Sequence, residues 1–204
     1  MTHIWLSEKV LVMKRILLIL ILTFSFQNWT RADDIRDFEI EGMSIGDSLL
    51  DFATVGKINL GERKYYNDNK FTVTELYPDD FKIKKYTYDR FQFDFKAKDN
   101  KKIIKAFSGV VSYKHNIKDC YEKLDQVYKD VVSIFNTWDD LGKETYNHTG
   151  SGGKITDYVL VNKSRDEIQI ACYDYFDDKI NQDHFRISLR TFEYRVWLQE
   201  KAYN

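Results

Sequence analysis

The strongest periodicity in the chain lies between Ile117 and Phe135. Ile117, Cys120, Tyr121, Leu124, Val127, Tyr128, Val131 and Phe135 recur at spacings of three and four, with Lys118, Glu122, Lys123, Asp125 and Lys129 on the other face. This is the pattern of an amphipathic helix laid on a sheet, and Asn116 supplies an N-cap. A period of two appears on either side of it. Phe91, Phe93 and Phe95 alternate with Gln92, Asp94 and Lys96, and Phe185, Ile187 and Leu189 alternate with His184, Arg186, Ser188 and Arg190. Half-buried strands alternate in this way.

Four further strands are predicted at Phe71 to Leu76, Lys102 to Tyr113, Lys154 to Val161 and Glu167 to Tyr175. Asp99-Asn100 supplies turn chemistry, and Gly109 marks a bulge or a close backbone approach. Ser44 with Asp47 reads as a capping box opening a short helix from about 45 to 53, ended by Gly56. Phe192 to Lys201 predicts a short terminal helix, and the polar stretch from Trp138 to Gly153 reads as a connector. The expected fold is therefore α+β: an antiparallel sheet of about six strands, a long helix on one face and short helices near both ends.

The first 32 residues read differently. Lys14 and Arg15 precede an apolar run, Ile16 to Phe26, and Thr30-Arg31-Ala32 follows a polar section. Positive flank, short apolar stretch and a small residue at the cut site are the parts of a secretory signal peptide. The run is shorter than the roughly 20 apolar residues of a membrane-spanning helix. Residues 1–32 are thus expected to be a leader, with Asp33 the mature N-terminus and 33–204 a single domain. Losing Lys9, Lys14, Arg15 and Arg31 along with Glu8 would take the net charge from −1 to −4. A periplasmic or secreted location follows, with no membrane span after cleavage.

Composition narrows the functional classes. A chain with 16% aromatic residues and a single proline is neither collagen-like nor mostly disordered. Its slight acidity lacks the basic excess of a nucleic-acid binder.

Asp37 to Phe52, DFEIEGMSIGDSLLDF, resembles the opening of a group of uncharacterised exported proteins of AT-rich marine bacteria. The Gly42-Met43-Ser44 step is also similar to small periplasmic domains related to outer-membrane assembly lipoproteins and β-lactamase-inhibitor proteins. There such a turn starts a helix ahead of an antiparallel sheet. This chain departs from that second group in lacking a lipidated cysteine and a Leu-Gly-x-Pro after the helix. Neither resemblance implies a catalytic residue.

Chemistry-bearing motifs are few. His115, His148 and His184 stand at no metal-ligand spacing, so no metal or cofactor is expected. Gly150 to Lys154 fails the phosphate-loop pattern, with His148 where a glycine is needed and Ile155 where Ser or Thr is needed. Cys120 and Cys172 are the only cysteines; they are expected either as a disulfide in an oxidising compartment or as two buried thiols.

Tyr173, Tyr175, Asp177 and Asp178 combine aromatic and acidic groups, while Arg186 and Arg190 share the polar side of their strand. These six are the candidate binding residues, on the sheet face that the long helix leaves uncovered. Replacing Tyr173 and Arg186 by alanine is expected to leave folding nearly intact. The expected function is a non-catalytic binding or envelope-accessory module with a macromolecular or envelope partner. The alternative is an envelope hydrolase using a pair of carboxylates.

Overall fold

The computed structural model describes residues 33–82, 86–114, 116–148, 152–176 and 182–204. The expected leader, residues 1–32, lies outside them. The chain builds one antiparallel sheet whose eight strands lie in the order β1-β2-β3-β4-β8-β7-β6-β5. These are β1 (Glu62–Arg63), β2 (Phe71–Leu76), β3 (Arg90–Lys96), β4 (Ile104–Lys114), β5 (Asp139–Asn147), β6 (Gly153–Val161), β7 (Glu167–Tyr175) and β8 (Asp183–Arg190). Four α-helices occur among the described residues: α1 (Leu49–Phe52), α2 (Val55–Leu60), α3 (Ile117–Ile134) and α4 (Phe192–Glu200). None of them is long and apolar enough to cross a membrane.

The count of about six strands is corrected to eight, and both additions are sheet edges. β1 is only two residues long. β5 falls in the stretch read as a connector, and nearly all of it is exposed. An edge strand bonded on one side, with neither face covered, has no alternation for periodicity to register.

Two four-stranded meanders meet where β4 pairs with β8, and each is followed by a helix. The helices cover opposite faces. α3 buries Cys120, Leu124 and Val131 against a core that includes Phe91, Phe93, Phe95, Phe107, Ile170 and Leu189. α4 instead places Tyr194 and Trp197 with Phe71 and Ala106 on the other side. Ala106 and Phe107 are neighbours in β4, so they point to opposite faces of the pleat. Cys120 and Cys172 form a disulfide that ties α3 to β7, with Cα atoms 6.0 Å apart.

The early helix also differs from expectation. Half of the Ser44/Asp47 box forms: Ser44 N–H donates to Asp47 Oδ2 at 2.8 Å. The Ser44 hydroxyl, however, donates to the Arg36 and Phe38 carbonyls, and Gly46 sits at φ +95°. A left-handed residue interrupts a helix at that point. The helix begins after Ser48, whose side chain accepts from Leu50 N–H, and gives way to α2 before Gly56 is reached. Gly109 marks a close approach, because a Cβ there would lie 2.7 Å from the Tyr88 ring.

Candidate functional site

A cavity of about 240 Å³ opens on the sheet face away from α3. Its floor comes from the polar positions of the period-two strands, Gln92 and Asp94 on β3 and Arg186 and Arg190 on β8, with Ala106 and Ser108 of β4 between them. Tyr173 and Tyr175 on β7 form one side. Tyr194 and Leu198 of α4 form another, joined by Tyr203, Tyr66 from the β1–β2 connection and His148 beyond β5. Ala106 and Ser108 create the depression. They are small side chains mid-sheet, and Ser108 is held by an Oγ–Oγ bond of 2.9 Å to Ser188.

At one end stands a buried carboxyl. Tyr66 O–H donates to Asp94 Oδ1 at 2.8 Å, and the Tyr66 and Tyr194 hydroxyls are 2.7 Å apart. With the single Tyr66 proton committed to the carboxylate, Tyr194 donates to Tyr66. Burial pushes the Asp94 carboxyl up to about 6, against the downward pull of its hydrogen bonds and of Arg186. Burial and the nearby Asp94 charge hold both tyrosines far above their ordinary value, so they remain donors.

At the other end stands Arg186. Its guanidinium carbon lies 5.5 Å from the Tyr173 ring centroid, a cation–π placement. Its Nε–H is buried without an acceptor, and no carboxylate among the described residues lies within ion-pair distance. Arg190 differs: its Nη1 donates to Glu167 and its Nη2 to Gln169, both at 2.7 Å. Glu167 thus takes Arg190 and, at 3.5 Å, Arg195, whereas Arg186 has no carboxylate within ion-pair distance among the described residues.

That charge is felt by both histidines. Burial first, and Arg186 second, push His184 down to about 3 and lower His148 as well. His184 Nδ1 lies 2.9 Å from the Gln182 carbonyl, which can only accept, so the proton sits on Nδ1. The ring stacks on Tyr173, with centroids 4.5 Å apart and 10° between planes. Tyr173 is 9% exposed and so is more enclosed than a wetted surface residue.

Four of the candidate residues, Tyr173, Tyr175, Arg186 and Arg190, meet at this cavity. Asp177 and Asp178 lie outside the described residues. The disulfide cysteines sit on the covered face and take no part in the site. Tyr66 and Tyr203 were not legible in the sequence, because an irregular connection and a chain terminus offer no periodicity, and Tyr194 lay in the expected terminal helix with nothing to say which sheet face that helix covers. Asp94 carried a signal in its alternation with the β3 phenylalanines, though nothing marked it as the cavity's carboxyl.

Neither the family models nor the curated proteins nor the solved structures yield a match to this chain. The chemistry of the cavity must speak for itself. Asp94 is the one carboxylate among its described lining residues. Among the described residues no group of three His, Cys, Asp or Glu side chains is arranged to hold a metal ion.

Proposed function

We propose that this protein is a non-catalytic binding module, exported by the leader at residues 1–32, whose domain at 33–204 holds a small polar molecule on its open sheet face. The observation that carries the reading is the convergence on one cavity of side chains from both meanders, α4 and two connections. Residues far apart in sequence share no local reason to meet there. Ligand sites have this form: concave, built by several elements, with a few placed polar groups. A periplasmic or secreted location agrees with the leader pattern and with the Cys120–Cys172 bond, since disulfides persist in oxidising compartments. The likeness of residues 37–52 to exported bacterial proteins belongs to the same reading.

The hydrolytic alternative needs two carboxylates about 5 to 9.5 Å apart across a cleft. Among the described lining residues Asp94 is the single carboxylate, already engaged by Tyr66, which supports binding instead. Native mass spectrometry of the protein purified from its own cell envelope tests the proposal. A retained small molecule, lost on denaturation, is the expected result. A bare chain that also turns over glycans or esters would replace this reading with the hydrolytic one.

A further inference from the structure

We infer that the cavity takes a small polyhydroxylated monocarboxylate, a sugar acid or hydroxy acid, with its carboxylate paired to Arg186. The inference rests on the binding reading above and names the ligand class for that same site. Three features of the cavity carry it.

The first is charge. An unpaired guanidinium, partly removed from water, is costly unless an anion compensates it. Glu167 is taken up by Arg190 and Arg195, so among the described residues Arg186 is the lining cation with no carboxylate at ion-pair distance. A single carboxylate matches that charge and the planar fork of the guanidinium. A phosphate monoester would bring a second negative charge into a cavity that also holds Asp94.

The second is the lining. Tyrosine hydroxyls, the Gln92 amide and Ser108 make up most of the wall, while Ala106 and Leu198 are its only aliphatic members among the described residues. An apolar ligand would take these polar groups out of water and return no hydrogen bond for the capacity that Tyr66, Tyr194 and Ser108 do not already use among themselves and with Asp94 and Ser188, at about 1–3 kcal/mol for each group so stranded. A ligand bearing several hydroxyls satisfies them. The C–H face of such a ligand can lie against the Tyr175 ring, which lines the cavity beside Tyr173.

The third is size. At about 240 Å³ the cavity is smaller than the roughly 300–1,000 Å³ of drug-sized ligand sites. It suits a single sugar-sized molecule rather than a chain.

Calorimetric titration of the full chain with D-glucuronate, D-gluconate, D-glucose and D-glucose 6-phosphate tests the assignment. These probes share a hydroxylated body and differ in charge. At least one carboxylate is expected to bind ten-fold or more tightly than glucose, with the phosphate ester weaker than that carboxylate. Arg186→Gln should abolish the carboxylate advantage, and Arg186→Lys should retain part of it. Melting curves of both variants check that the fold persists. Equal binding of glucose, a tighter phosphate ester, or an Arg186→Gln protein of unchanged affinity would each overturn the inference. If all four probes fail while native mass spectrometry finds another kind of ligand retained, the ligand class falls and the binding reading stands. A bare chain with no titratable probe removes both.

Discussion

The Tyr66 hydroxyl donates to Asp94 Oδ1 at 2.8 Å, joining the β1–β2 connection to the floor strand β3 through a carboxyl that is 3% exposed. Gln92, Tyr194 and Arg186 also act on that carboxyl, all lowering its pKa, yet burial outweighs them and raises it from 3.8 to about 6. A buried acid of this kind binds its proton more tightly folded than unfolded. Its contribution to stability is therefore present at low pH and is lost as pH rises from 3.8 to about 6. Asp94→Asn keeps the acceptor for Tyr66 and cannot ionise. Relative to that variant, the wild type should lose up to about 3 kcal/mol across this window, measured by urea unfolding at several pH values. Parallel profiles for the two proteins would count against the buried carboxyl.

His184 should act in the opposite direction within an overlapping range. Its folded value of about 3 lies below the ordinary 6.5, so the unfolded state takes up the proton first. Stability is lost as pH falls through that interval. His184→Phe preserves a ring for Tyr173 to stack on, and should flatten the acid side of the stability profile. NMR titration of the His184 ring gives a direct check, with protonation near pH 6.5 as the contrary result.

The Cys120–Cys172 bond closes a separation of 52 residues between α3 and β7. In the chain-entropy model a loop of that length is worth about 4 kcal/mol. The double replacement Cys120→Ala and Cys172→Ala should lower the unfolding free energy by roughly that amount, more if the vacated volume does not collapse. Denaturant titration of both proteins measures the difference. Loss below about 1 kcal/mol would show that the denatured chain is already compact without the bond.

Tyr173 and Arg186 should separate in their effects on stability. Tyr173 packs with Ile155, Ala171 and Tyr175 and stacks on His184, so Tyr173→Ala is expected to cost about 3 kcal/mol. This replaces the expectation that folding would be indifferent to it. Arg186→Ala removes a cation with no carboxylate partner among the described residues and should leave the melting temperature nearly unchanged or higher. Thermal melts of the two single variants distinguish them. Equal losses would mean that Arg186 is structural.

Gly61 caps α2 where the chain passes against β2. A Cβ there would lie 2.3 Å from the Glu75 carbonyl oxygen, a backbone atom that cannot swing aside. Its φ of −78° is ordinary, so the demand is for space alone. Gly61→Ala should destabilise by about 1–3 kcal/mol, read from its melting curve.

Period determined much of this protein before any tertiary contact. The spacing from Ile117 to Phe135 marked α3 nearly to the residue, and alternation located β3 and β8 with their polar sides, while β2, β4, β6 and β7 were read as strands without so clean a period. Those signals exist because each element buries one face, and burial writes its period into the sequence. Where no face is buried the signal vanishes, so the edges β1 and β5 went unseen. The helix near residue 45 moved because one left-handed glycine outweighed a half-formed cap. Only the tertiary structure decided that α4 crosses to the face opposite α3, and that Tyr66, Asp94, Tyr194 and Arg186 enclose one volume. Such a cavity depends on side chains from distant segments and on which cations find partners. Register sets Arg190 opposite Glu167 and Arg186 opposite Ala171, a pairing that local sequence does not encode.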